Sequence, residues 1–164
     1  MREVFVPEIV AYPTSGNITN FIAERAYYEP DRVMLSRAIG ENWHPVTARE
    51  LEAEVRGVAK GLIAAGIQIG DRIAIMSRTR YEWTIIDFAI WFAGGVTVPI
   101  YETSSSEQVD WILSDSNSVG IIVETPQLRD AVTPILPSKV KNCWVMTENV
   151  LSQLAYAGRD ISDQ

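Results

Sequence analysis

Cysteine is almost missing from this chain of 164 residues: Cys143 stands alone. No intramolecular disulfide can form, and no thiolate cage for zinc can be built within one chain, which fits a reducing compartment. Histidine also occurs once, at His44, and lysine only at Lys60, Lys139 and Lys141. Nowhere do Lys and Arg gather into a stripe, and the formal net charge is -7. Nucleic-acid binding rests on neutralising phosphates with cations, so nucleic acid is not an expected partner. The opening "MREVFVPEIV" lacks the long apolar core and small-residue cleavage site of a secretory leader. A cytoplasmic location is expected, with peripheral membrane attachment left open. Linkers rich in Pro, Gly or Ser are missing too, so residues 1–164 are read as a single domain.

An uninterrupted membrane span is also lacking. Residues 83–101, "WTIIDFAIWFAGGVTVPIY", come nearest, but Asp87, the pair Gly94-Gly95 and Pro99 break them. They predict a buried helix followed by a buried strand.

What is present is a regular beat. The apolar runs "RIAIM", "VTVPI", "VGIIV" and "NCWVM" alternate with helix-like stretches, and Ile73, Val96, Val119 and Cys143 recur at intervals of 23, 23 and 24 residues. Strand, crossover helix and strand at this spacing predict a three-layer α/β fold: a mostly parallel sheet with helices on both faces. Upstream, an amphipathic helix around Thr19 to Tyr28 and two extended runs flanking Gly40-Glu41-Asn42 predict a helix and a hairpin packed against that core.

Helix ends are legible. Thr47 and Glu50 in "TARE" form a capping box, behind which Leu51, Val55, Val58, Ala59, Leu62 and Ile63 make an apolar stripe that Gly66 terminates. Pro126 opens another helix, with Leu128, Ala131, Val132, Ile135 and Leu136 as its buried side.

The serine loop 104–106 follows a predicted strand and precedes a helix, where backbone N–H groups can hold anions. However, Ser104 with Glu107 and Ser105 with Gln108 stand at capping-box spacing, and the loop has no glycine, so a cap is the expected role. A Walker loop and the GxGxxG fingerprint are both missing. Cys143 in an apolar strand and His44 in a hairpin are not brought together by anything in the sequence. Asp87, on a helix apolar nearly all round, needs a partner, for which Arg78 and Arg80 are the candidates. Trp83, Trp91, Trp111 and Tyr101 are read as core aromatics.

"GDRIAIMSRTRYEW" followed by "GGVTVPIYETSSSEQVDWILSDSNS" resembles the N-terminal region of AMP-forming acyl-CoA synthetases, most closely the long-chain fatty-acid–CoA ligases. The resemblance runs over residues 20–150. It implies a parent enzyme that condenses a fatty acid with ATP, assisted by Mg²⁺, to an acyl-adenylate and pyrophosphate, then passes the acyl group to coenzyme A. That family's glycine-rich phosphate loop, its Tyr-x-x-Thr-Glu motif, its ribose-binding Asp and its catalytic Lys have no counterpart in residues 1–164. No catalytic, cofactor-binding or metal-binding residue is therefore carried over. Sheet topology alone nominates Tyr101 and Thr103 as lying on the substrate side. The expectation is an N-terminal portion, silent by itself, with no cofactor of its own, whose partner is the remainder of the enzyme and whose exposed faces self-associate. A stand-alone α/β binding module stays open as the alternative, and a receiver domain is the weaker third reading.

Overall fold

The computed structural model describes residues 15–162. The opening "MREVFVPEIV" and the last two residues lie outside that range. Helix α1 (Ile18–Tyr28) starts at Asn17, whose side chain accepts from the Thr19 N–H while Asn20 reciprocates on the Asn17 N–H. Strands β1 (Val33–Ile39) and β2 (Asn42–Thr47) pair antiparallel, with Ile39 opposite Asn42 across a turn that Gly40 enters at φ 59°. This is the predicted hairpin. Thr47 then caps α2 (Ala48–Ala64): its hydroxyl accepts from the Glu50 N–H, and the Glu50 carboxylate accepts from the Thr47 N–H at 2.8 Å. Gly66, at φ 93°, ends the helix in the left-handed conformation.

The remainder is the predicted alternation. Strands β3 (Arg72–Met76), β4 (Val96–Ile100), β5 (Gly120–Val123) and β6 (Asn142–Val145) form one parallel sheet in the order β4-β3-β5-β6. Between them run α3 (Tyr81–Phe92), α4 (Ser106–Asp115) and α5 (Pro126–Val132), and α6 (Val150–Ala157) follows β6. Alternation along each strand divides the core. Ile73, Ile75 and Ile122 face α2, α3 and α6, whereas Ala74, Met76, Ile121 and Val123 face α4 and α5. Helices therefore cover both faces of a sheet whose central strands are apolar from Ile73 to Met76 and from Gly120 to Val123, and each fully buried Ile contributes roughly 1.5–3 kcal/mol.

Strand β4 is an edge and contains Pro99. The Val96 N–H donates to the Asp71 carbonyl, so alternate residues from Val96 turn their backbone toward β3 and Pro99 turns its missing donor outward. The proline thus costs the ladder nothing. On the opposite side α2 and α6 approach closely: a Cβ built on Gly61 would lie 2.1 Å from the Leu154 carbonyl oxygen. No helix among the described residues is long and apolar enough to cross a membrane.

Several expected core positions lie outside. Ile63 is 41% exposed, because the stripe of α2 is centred on Val55, Val58 and Leu62 and leaves Ile63 on its flank. Ala131 is exposed on α5. Trp111 is also exposed, since α4 buries Val109 and Leu113 and Trp111 points away from that face; Tyr101 is exposed beyond the end of β4. Trp83 and Trp91 do pack against the core.

Candidate functional site

Parallel strands present their carboxyl ends along one edge of the sheet, where ligands gather in open α/β folds. At that edge β3 runs out into Ser77 and Arg78, and its neighbour β5 runs out into Glu124. The Glu124 N–H donates to the Met76 carbonyl, which brings the Glu124 side chain under the turn leading to α3. Its side chain is 5% exposed. Arg78 engages it three times: the backbone N–H at 3.0 Å and Nε at 3.3 Å to Oε2, and Nη2 at 2.7 Å to Oε1. Arg80 adds an ion pair at 3.5 Å. These contacts, the Arg78 guanidinium foremost, hold the Glu124 carboxyl below the usual range against the opposing effect of burial.

A second layer joins the hairpin to the start of α3. Burial pushes the Glu82 carboxyl up, but Arg80 (Nε to Oε2, 2.6 Å) and Arg37 (Nη2 to Oε1, 3.3 Å) outweigh it, and the net direction is downward. Arg37 lies over the Tyr81 ring at 4.6 Å from its centroid. The Tyr81 hydroxyl donates to Glu54; burial first, and then this bond, raise its pKa above the ordinary tyrosine range.

Between the hairpin and this edge lies a cleft of about 570 Å³, lined by Arg37 and Trp43 on one side and by Arg78, Arg80, Glu82 and Glu124 on the other. Both carboxylates are paired and lowered, so they stay ionised near neutrality and are poor proton acceptors. The arrangement is built to hold a charged group in place.

The nominated residues fall nearby but apart. Tyr101 and Thr103 occupy the exposed loop after β4, on the same edge of the sheet but outside the cleft lining. The Tyr101 carbonyl accepts from the Ser104 N–H at 3.0 Å, closing a turn. Ser105 is the cap of α4: its hydroxyl accepts from the Gln108 N–H and Gln108 returns the bond to the Ser105 N–H. The expected Ser104–Glu107 pairing is replaced by that turn, which takes up the Ser104 N–H. Cys143 is half-buried on β6, where burial raises its thiol pKa, while His44 is exposed on the hairpin.

The expected pairing of Asp87 with Arg78 or Arg80 does not form, since both arginines are committed to Glu124 and Glu82. Asp87 lies instead beneath β4. Burial pushes its carboxyl up and the Thr97 side chain opposes the shift, yet the buried Thr97 Oγ1 makes no well-formed hydrogen bond, so burial dominates. The pairing that does form, Arg78 with Glu124, needed the strand order: an Arg after one apolar run and a Glu after another become neighbours only when β3 and β5 are adjacent.

No group of three or more His, Cys, Asp or Glu side chains among the described residues could hold a metal ion. Among the described residues, no strand of the parallel sheet is followed by a glycine-rich loop that could cradle a triphosphate.

Comparison with known proteins gives consistent findings. The sequence pattern of the AMP-binding enzymes matches residues 22–161. The long-chain-fatty-acid–CoA ligase FadD15 of Mycobacterium bovis is 47% identical over 125 residues, 76% of this chain and 21% of that protein. Among solved structures, a Mycobacterium tuberculosis fatty acyl CoA synthetase superposes with a TM-score of 0.73 at 25% identity, over 85% of this chain and 28% of that one. VinN superposes with a TM-score of 0.74 at 18% identity, over 87% and 37% respectively, a likeness of fold alone. The chain spans about a fifth of the length of the curated FadD15 relatives it matches.

Proposed function

The chain belongs to the family of AMP-binding enzymes, and from that membership we propose that residues 1–164 form the N-terminal part of a long-chain acyl-CoA synthetase. The observation that carries this reading is the 47% identity to a long-chain-fatty-acid–CoA ligase across three quarters of the chain. The proposed reaction has two halves. A fatty-acid carboxylate oxygen attacks the α-phosphorus of ATP, expelling pyrophosphate and giving the acyl-adenylate; the coenzyme A thiolate then attacks the acyl carbon and AMP leaves. Mg²⁺ would neutralise charge on the phosphates. In this reading the described residues supply a scaffold layer with Tyr101 and Thr103 toward the substrate side, and the phosphate-polarising groups come from other sequence.

Exposed apolar side chains support contact with such a remainder. Ile18, Phe21, Ile69 and Val96 are 56%, 51%, 90% and 48% exposed, and apolar surface of that kind commonly marks an interaction face. With no remainder present, these side chains drive self-association, visible as concentration-dependent sedimentation; a monomer at every concentration would count against this part.

The test of the whole reading is fatty-acid-dependent ATP–pyrophosphate exchange, run beside a reading of the gene past codon 164. We expect no exchange from the 164-residue chain, exchange from the longer polypeptide, and a Gly/Ser/Thr-rich loop with Pro-Lys-Gly in the added sequence. Exchange by the short chain, or a stop codon directly after Gln164, would overturn the proposal and favour a stand-alone module.

A further inference from the structure

The cleft between the hairpin and the carboxyl edge of the sheet has an uneven hydrogen-bond inventory. Three guanidiniums and two carboxylates line it. Each carboxylate oxygen already accepts: Glu82 takes Arg37 on Oε1 and Arg80 on Oε2, while Glu124 takes Arg78 on both oxygens. The donors are not used up. A guanidinium carries five N–H groups. Arg78 commits Nε and Nη2 and leaves Nη1 without a protein partner among the described residues; Arg37 commits only Nη2 in hydrogen bonds.

Arg78 is also fixed in place. Its side chain is 71% exposed, yet it is tied to a Glu124 side chain only 5% exposed, so an immobilised cation faces solvent at the mouth of the cleft. Pre-ordering of this kind lowers the entropic cost of binding an anion. Glu102 attracts Arg78 from the loop after β4, without an ion pair among the described residues, and moderates the positive charge. On the hairpin, Trp43, the cross-strand partner of Ala38, is 72% exposed and lines the same cleft.

We propose that this cleft binds a small oxyanion, a carboxylate or phosphate, carried on a flat apolar body, with Arg78 gripping the anion and Trp43 covering the body. The chemistry is charge-assisted hydrogen bonding from a planar guanidinium, which suits a two-oxygen acceptor, with aromatic contact beside it. The inference is about this chain alone and does not depend on the acyl-CoA synthetase reading.

The test uses the isotopically labelled 164-residue chain, titrated at constant ionic strength with benzoate in one arm and inorganic pyrophosphate in the other, and followed by amide and indole resonances. We expect saturable shifts at the Arg78 and Thr79 amides and, in the benzoate arm, at the Trp43 indole N–H. Arg78→Met should weaken binding on the order of 10-fold, and Arg159→Met, far away on the final turn, should not. Trp43→Ala, an exposed change that leaves the fold intact, should weaken benzoate binding more than pyrophosphate binding. Tighter benzoate binding would identify a carboxylate ligand and tighter pyrophosphate binding a phosphate. No saturable shift in either arm overturns the proposal, as does binding that Arg78→Met and Trp43→Ala both leave unchanged.

Discussion

Glu124 and Arg78 stand 46 positions apart in sequence, yet the carboxylate of one, a residue 4% exposed, accepts the backbone N–H, Nε and Nη2 of the other. This clamp ties β5 to the loop that launches α3. Removing one partner of a fully buried pair costs about 3–5 kcal/mol, but Arg78 remains largely in water, so Glu124→Gln should cost about 1–2 kcal/mol at pH 7. The folded-state pKa of Glu124 lies below its ordinary 4.5. Its contribution is therefore complete above pH 4.5 and is lost as pH falls through the lower folded value. Thermal melts should show the difference between wild type and variant at pH 7 and its disappearance in acid.

Asp87→Asn should behave in the opposite sense. The Asp87 carboxyl is buried with no ion pair among the described residues, and its folded pKa is raised above the ordinary 3.8. Stability tied to the protonated acid is intact below pH 3.8 and is lost as pH rises through the folded value. An amide escapes that loss. At pH 7 the variant should melt about 2–4 °C higher, equivalent to roughly 1 kcal/mol at this chain length, with no gain below pH 3.8. A melting temperature that drops at neutral pH would show that Asp87 has a partner worth keeping.

Gly61→Ala should destabilise. The new methyl would meet the Leu154 carbonyl oxygen at 2.1 Å, and backbone cannot swing aside. Overpacking of this kind costs about 1–3 kcal/mol. Gly57→Ala is the control: its Cβ meets the Ala155 methyl at 3.3 Å and the Ala155 Cα at an ordinary 3.9 Å, and it gains helix propensity of about 1 kcal/mol. Urea titration should place the two variants on opposite sides of wild type, or Gly57→Ala level with it.

Ser105→Ala should cost about 1 kcal/mol, because the Ser105 hydroxyl is the side-chain acceptor at the start of α4. Ser104→Ala should cost less than about 0.5 kcal/mol, since the turn uses the Ser104 backbone and not its hydroxyl. Equal losses in denaturant midpoint would mean that both serines cap.

Much of the architecture was readable from local signals. The spacing of "RIAIM", "VTVPI", "VGIIV" and "NCWVM" marked four strands, and Thr47, Ser105, Pro126 and Gly66 marked helix ends, because capping and turn chemistry act within a few residues. Contacts set by strand order were not readable. Arg78 and Arg80 precede Asp87 by only a few residues, so sequence proximity alone points them at it, whereas the parallel pairing of β3 with β5 delivers Glu124 to them instead. Trp111 shows a different gap: its bulk suggested the interior, but only the placement of Val109 and Leu113 against the sheet decides which side of α4 is dry. Hydrophobicity says that a residue favours burial; the packing partner decides whether it is buried.

The seam between α2 and α6 bears on how the molecule comes off the ribosome. Gly61 emerges long before Leu154, so the notch that will receive α6 stays open while the whole sheet is being synthesised. A nascent chain stalled before residue 150 would leave that notch facing water.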